Sequence, residues 1–313
     1  MGPSVHEVGQ RLTIRLRIPE GGFRDLVGIL ESETSIRRRD GSLSEFQPED
    51  VVVWRVIEPP KDRAGHGAPL SLRIRDIEAA ANATWPALET AHIGDWLLRA
   101  SGKFTLRANS VLPLGPPPFG NPGIDIHEGI SRVIDFYSAH NLPAVFHIPL
   151  PTYGQLEELL REEGWVEKVT VLVMVADIGD FQEAQRATGK WEIESSPTEE
   201  WLNFHNDHGV AQIMKSVPAH YAGLRINGVL VAGGRAAIHE KWCALSRLFV
   251  HPDFRRQGLA YDLVQTLLKD AKNLGATKSL LQVDENNLGA ISLYEKLGFA
   301  VHHSYVYLIH QPK

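Results

Sequence analysis

The sequence predicts a mixed α/β (α+β) chain: a small all-β barrel followed by two mixed α/β halves. Three observations lead there. Residues 5–57 alternate apolar and polar positions in short runs, a Pro- and Gly-rich stretch at 58–70 interrupts them, and beyond it one order of strand, loop, helix and strand occurs twice. The length, 313 residues, suits about two domains at ~150 residues each.

The elements follow in order. RLTIRLRI sets Leu12, Ile14, Leu16 and Ile18 on one face and Arg11, Thr13, Arg15 and Arg17 on the other. Turn signals at Pro19-Glu20-Gly21-Gly22 and Asp40-Gly41 separate it from LVGILE, SIRRR and VVVWRVI. Such closely spaced short strands suit a small barrel over residues 1–58. The Arg37-Arg38-Arg39 run invites a nucleic-acid reading, but residues 1–58 hold eight Arg, no Lys and ten acidic residues, 8 − 10 = −2. A solvated strand face is the expectation.

The first α/β half, residues 71–180, reads as a strand (RANSVLPLG), a loop (PPPFGNPGIDIHE), a helix (GISRVIDFYSAHN), a strand (PAVFHI), then a helix and strand in LEELLREEGWVEKVTVLVMV. The second half, residues 190–313, repeats it: CALSRLFV, HPDFRRQG, LAYDLVQTLLKDAKN, KSLLQV and AISLYEKLGFAVHHSYVYLI. Gly164-Trp165 and Gly298-Phe299 hold the same place, a glycine C-cap followed by an aromatic residue. Asn227-Gly228 marks a hairpin with a type I′ turn.

Charge and composition exclude several classes. Thirty-two basic and thirty-eight acidic residues give 32 − 38 = −6, against a protein held to nucleic acid by bulk charge. The densest apolar run, Val169 to Ala176, falls far short of the ~20 residues of a membrane helix. MGPSVHEVGQ shows no secretory pattern. Cys243 is the one cysteine, which rules out an internal disulfide framework and a cysteine-rich zinc site and suits a cytoplasmic protein. No metal site is expected: His205 and His208 lack a third ligand, and His302 and His303, adjacent on a strand, should face opposite ways.

The chemistry concentrates after Val250. HPDFRRQGLA runs from a strand into a helix whose apolar stripe is Ala260, Leu263, Val264, Leu267, Leu268 and Ala271. A helix start offers free N–H groups and a positive dipole, Arg255 and Arg256 add charge, and Gly258 lets backbone approach a bulky anion such as pyrophosphate. The first half has no such loop, and its prolines lack the N–H groups.

Arg255-Arg256-Gln257-Gly258-Leu259-Ala260 matches the Q/R-x-x-G-x-G/A signature of the GNAT superfamily of acyl-CoA N-acyltransferases, and Asn287 with NLGAISLYEKLGF follows at the spacing of that family's core. The whole chain resembles an actinobacterial group that carries an amino-terminal Src-homology-3-like barrel. The resemblance implies an acetyl-CoA-dependent N-acetyltransferase without a metal. In that reading Leu248, Phe249 and Val250 pair with the pantetheine arm, and Arg255, Arg256, Gln257, Gly258, Leu259, Ala260 and Tyr261 hold the pyrophosphate. Asn287 steadies the pantetheine and Tyr294 is the general acid at the thioester sulfur. The family often places a Glu or His base on the strand before the loop, where this chain has Ala244 and Ser246. His205, His208, His239, Glu240 and Asp284 are replacements by sequence proximity only. The missing base motivates an alternative, a non-catalytic acyl-CoA sensor or scaffold whose barrel binds a partner protein. The acceptor is expected to be a primary amine, on a small molecule or a peptide, with the acidic total favouring a cationic one; a homodimer is compatible with the exposed barrel.

Overall fold

The structure, a computed structural model, describes residues 2–19, 21–38, 40–57, 63–102, 104–179, 190–206 and 208–311. Glu20, Arg39, linker residues 58–62, the 180–189 segment and Asp207 lie outside the described residues. The chain divides into two units, residues 1–62 and 63–313.

In the first unit β1 (Arg11–Arg17), β2 (Phe23–Ser32), β3 (Ser35–Arg37), β4 (Leu43–Glu45) and β5 (Val51–Val56) form an antiparallel sheet in the order β4-β3-β2-β1-β5. The alternation in RLTIRLRI decides what is buried: Leu12, Ile14 and Leu16 pack with Leu26, Leu30 and Ile36. Arg37 pairs with Glu31 on the exposed side.

The second unit opens with α1 (Leu70–Thr84), β6 (Glu89–Ile93), β7 (Trp96–Ala100), β8 (Leu112–Pro113), α2 (Ile126–Ala139), β9 (Val145–Leu150), α3 (Gly154–Glu162) and β10 (Val166–Asp177). It continues with β11 (Trp191–Glu194), α4 (Glu199–His205), α5 (Ala211–Lys215), β12 (Ala219–Ile226), β13 (Val229–His239), β14 (Trp242–Val250), α6 (Leu259–Asn273), β15 (Lys278–Asp284), α7 (Leu288–Lys296) and β16 (Ala300–Ile309). The repeat is visible in α2-β9-α3-β10 and α6-β15-α7-β16. Helices α3 and α7 end alike: Gly164 and Gly298 have φ of 88° and 86°, and the Trp165 and Phe299 amides donate to the Leu160 and Tyr294 carbonyls at 3.0 Å each. At the hairpin, Asn227 and Gly228 both have positive φ, 52° and 82°, as a type I′ turn requires.

The two copies interlock. Among the described residues the large sheet runs β11-β12-β13-β14-β15-β10-β16-β9, so β10 lies between β15 and β16, and β16 lies between β10 and β9. The last strand of each copy thus completes the other. Apolar residues of α6 and α7 cover one face of the sheet, while α2 and α3 pack on the β9 end.

Two expectations are corrected. Of the predicted strand at 107–115 only Leu112–Pro113 is strand. Asn109 holds what precedes it as a loop, donating to the Phe104 and Thr105 carbonyls at 2.6 and 2.8 Å and accepting from the Ser101 amide at 2.7 Å. His302 and His303 do not face apart: the β10–β16 register shifts there, and their Nδ1 atoms come within 2.9 Å.

A buried polar chain links the layers. Glu78 of α1, 2% exposed, accepts from His303 Nε2 at 2.9 Å and lies 3.2 Å from His147 Nε2. His147 in turn meets the buried Arg99 guanidinium at 3.2 Å. Burial pushes the His147 imidazole down to about 4 against Glu78's opposing pull, so it is neutral at pH 7. The unfolded chain binds this proton near 6.5 and the folded chain only near 4, so stability is lost as pH falls from about 6.5 to 4. Urea unfolding at pH 7 and pH 4.5 checks this, with a lower midpoint expected at pH 4.5; equal midpoints reject it.

Candidate active site

Strands β14 and β15 run parallel and side by side only from Trp242 to Leu245 and Lys278 to Leu281. Beyond Leu245 they part, and the β14 edge that faces β15 has no partner strand among the described residues. A bulge lies at this point: Gly233 pairs with Phe249 but Arg235 pairs with Ser246, and Arg247 takes φ of 56°. Two cavities open from the gap.

The larger, about 1050 Å³, lies between the end of β14, α6 and α7. Leu248, Phe249, Val250, Arg255, Arg256, Gly258, Leu259, Ala260, Tyr261, Asn287 and Tyr294 line it; Gln257 does not. Among the described residues its charged lining residues are Arg255, Arg256 and Lys296, with no carboxylate. Gly258, with φ of 84°, precedes the first residue of α6 and provides no side-chain cap. The amides of Arg256, Gln257, Gly258, Leu259 and Ala260 make no hydrogen bond to a described residue. The matching helix of the first copy is closed: Asp125 caps α2, accepting from the His127 and Glu128 amides at 3.0 and 3.2 Å. One helix start carries its own anion and the other is open to an external one.

Arg255 also has a local task, donating from Nε to the Val250 carbonyl at 3.1 Å with its guanidinium 5.7 Å above the Phe249 ring. Asn287 caps α7, its Oδ1 accepting from the Ala290 amide at 3.2 Å.

The second cavity, about 550 Å³, is lined by β14 and β15, by Tyr305 and Tyr307 of β16, and by Trp85, Thr105, Leu106 and Arg107 of the first half. Leu248, Phe249, Asn287 and Tyr294 line both cavities, so the two meet at Tyr294. Tyr294 is 9% exposed, its hydroxyl makes no hydrogen bond to a described residue, and burial pushes its phenol up to about 12.

Ser246 faces the second cavity, and Ala244 is buried one pleat earlier. Of the replacement bases only His205 and Asp284 reach the cavity. His239 and Glu240 sit at the opposite end of the β13–β14 hairpin, and His208 is engaged with Asn203 at 2.7 Å. His205 stacks on Trp201 at 3.7 Å and its Nδ1 meets the Trp201 carbonyl at 2.9 Å. Burial lowers its pKa, which keeps the imidazole neutral. Cys243 is fully buried, and burial pushes its thiol up to about 12, so it is inert at neutral pH.

Residues 72–308 match the family described as probable histone acetyltransferase Rv0428c C-terminal. The chain belongs to that family, a branch of the GNAT N-acetyltransferases. The chain is 28% identical over 318 residues to the probable histone acetyltransferase Rv0428c of Mycobacterium tuberculosis, covering 96% of this chain and 95% of that one. It is 30% identical over 243 residues to an uncharacterized N-acetyltransferase, YobR, of Bacillus subtilis, covering 72% and 94%. In fold this GNAT chain is similar to a GCN5-related N-acetyltransferase from Kribbella flavida, with TM-score 0.63, 16% identity and 77% and 96% coverage. It is also similar to a tandem GNAT protein from the clavulanic acid biosynthesis pathway, with TM-score 0.54, 12% identity and 77% and 89% coverage. No helix among the described residues is long and apolar enough to cross a membrane.

Proposed function

We propose that the protein transfers acetyl from acetyl-CoA to a primary amine by direct attack, with the donor in the larger cavity and the acceptor in the smaller one. The observation that carries this reading is the open start of α6: five amides without a partner among the described residues, beside a cleft whose described charged lining is wholly cationic. A pyrophosphate fits there on charge and on hydrogen-bond donors. The free edge of β14 at Leu248, Phe249 and Val250 suits the amides of the pantetheine arm, which it would take as a further strand takes its neighbour. Asn287 Nδ2 remains to steady that arm while its Oδ1 caps α7.

The thioester would then lie where the cavities join. The amine nitrogen attacks the carbonyl carbon, the new C–N bond forms, and the C–S bond breaks to release the thiolate of CoA. Tyr294 donates its hydroxyl hydrogen bond to that sulfur. The amine's proton passes to neutral His205 or to solvent at the exposed Asp284 rim. Holding the two reactants in joined cavities supplies much of the rate.

Calorimetry with acetyl-CoA tests the donor site. The wild type is expected to bind, and Arg256→Glu to weaken binding by roughly 10- to 100-fold, through lost attraction and added repulsion at the phosphates. Equal affinity in the two proteins overturns the assignment.

A further inference from the structure

We propose that the acceptor is an amine that also carries a carboxylate, and that Arg107 binds that carboxylate in the smaller cavity. The inference rests on the acetyltransferase reading above and adds the acceptor's chemical class.

Arg107 stands in the loop that Asn109 shapes, so the first half of the unit supplies it to a cavity whose remaining walls come largely from the second half. The residue is half-buried. Its guanidinium lies 5.7 Å from the Trp85 ring centre, and its Nε is buried without a hydrogen-bond partner. Among the described residues it makes no ion pair. A buried guanidinium nitrogen without an acceptor is costly, and the usual partners of a guanidinium are carboxylate and phosphate, whose planar or tripod oxygens match its fork of donors.

The surroundings worsen that cost rather than relieve it. Arg235 approaches the same Trp85 ring at 5.3 Å and donates once from each of its three nitrogens, to the Thr84 and Met214 carbonyls and the Tyr221 hydroxyl. Arg107 lowers the pKa of both Arg235 and Arg247, through repulsion added to their burial. Among the described residues the one carboxylate lining this cavity, Asp284, is at its exposed rim.

The uncharged polar groups agree in sign. Gln282 accepts from the Tyr305 hydroxyl at 3.3 Å through Oε1, which leaves its buried, unpartnered Nε2 as a donor. The Ser246 hydroxyl is likewise buried without a partner. Donors aimed into a 550 Å³ space complement a small molecule that brings its own acceptor oxygens. A single unpaired guanidinium matches a monoanion, which favours a carboxylate over a phosphate.

The test is a rate comparison at saturating acetyl-CoA. Glycine, β-alanine, γ-aminobutyrate and 6-aminohexanoate, a series that spans the spacing between amine and carboxylate, are each compared with the alkylamine of the same chain length. 2-Aminoethyl phosphate and a short lysine-containing peptide complete the panel. At least one amino acid is expected to exceed its alkylamine by tenfold or more in kcat/KM. Arg107→Gln should collapse that ratio by roughly 10- to 100-fold, mainly through KM, and Arg107→Lys should restore part of it. Melting temperatures and acetyl-CoA affinity of both variants report whether the fold and donor site are intact.

Several results overturn the inference: equal rates within pairs, a ratio indifferent to Arg107, preference for the phosphate or the peptide, or acetyl-CoA binding with no member acetylated. In all of these acetyl-CoA still binds and the donor reading stands. Absence of both acetyl-CoA binding and turnover removes the donor reading, and this inference with it.

Discussion

Tyr294→Phe is expected to lower kcat by about 100-fold or more while the affinity for acetyl-CoA changes little. The hydroxyl sits at the junction of the two cavities, nearly buried and without another hydrogen-bond partner among the described residues. With its pKa raised to about 12 by burial, it is a phenol at every pH at which the enzyme works. A thiol near ~8.5 is far more acidic than that, so the role proposed for Tyr294 is to stabilise the departing thiolate by a hydrogen bond more than by surrendering its proton. Phe keeps the ring's packing against Phe299 and removes only the donor. Steady-state kcat at saturating substrates, beside a calorimetric Kd, reads the two effects apart. An unchanged kcat rejects the role. A constant kcat up to about pH 10 is the accompanying sign, since a donor titrating near its ordinary value would begin to fail there.

Glu78→Ala is expected to cost about 3–5 kcal/mol of stability, among the largest effects of any single change in the chain. Glu78 is the carboxylate of the buried chain that includes Arg99, His147 and His303. Burial alone would raise its pKa, but the His147 and His303 side chains that face it outweigh that cost and hold it well below the usual carboxylate range. Truncation strands the Arg99 charge in a site only 1% exposed, orphans the His303 Nε2 donor and removes the carboxylate that faces His147. The midpoint of urea unfolding at pH 7 measures it, and a loss below about 1 kcal/mol would sink the account. Glu78→Gln, which keeps an acceptor oxygen and loses the charge, should fall between.

Local signals were legible where a short stretch of chain decides the outcome. Helix α6 occupies the residues that its stripe and Gly258 mark, and the hairpin at Asn227-Gly228 needs nothing beyond its own dihedrals. Helix α1 was not foreseen, because its inward face carries Glu78 where an apolar residue would announce it, and Pro69 gives no side-chain cap at its start. The open α6 start was readable from glycine and arginines, and the closed α2 start was also written in Asp125, three residues before Glu128. Arg107 was hidden inside a stretch that alternates like a strand, since the bonds that bend it come from Asn109. The charge of the smaller cavity was invisible for a different reason. A total of −6 says nothing about three guanidiniums brought together from residues 107, 235 and 247.

The strand exchange between the copies dictates a schedule for the nascent chain. A ribosome delivers β9 and β10 well before the strands they pair with exist, because β9 joins β16 and β10 joins β15 and β16. The antiparallel meander β12-β13-β14 is the earliest part of the large sheet that can zip from neighbouring sequence. Until β15 and β16 emerge, the apolar Val171, Val173 and Val175 of β10 have no ladder to join. Such a waiting, sticky edge makes the half-synthesised protein a client for chaperones, and slow translation just after residue 180 a hazard for its yield.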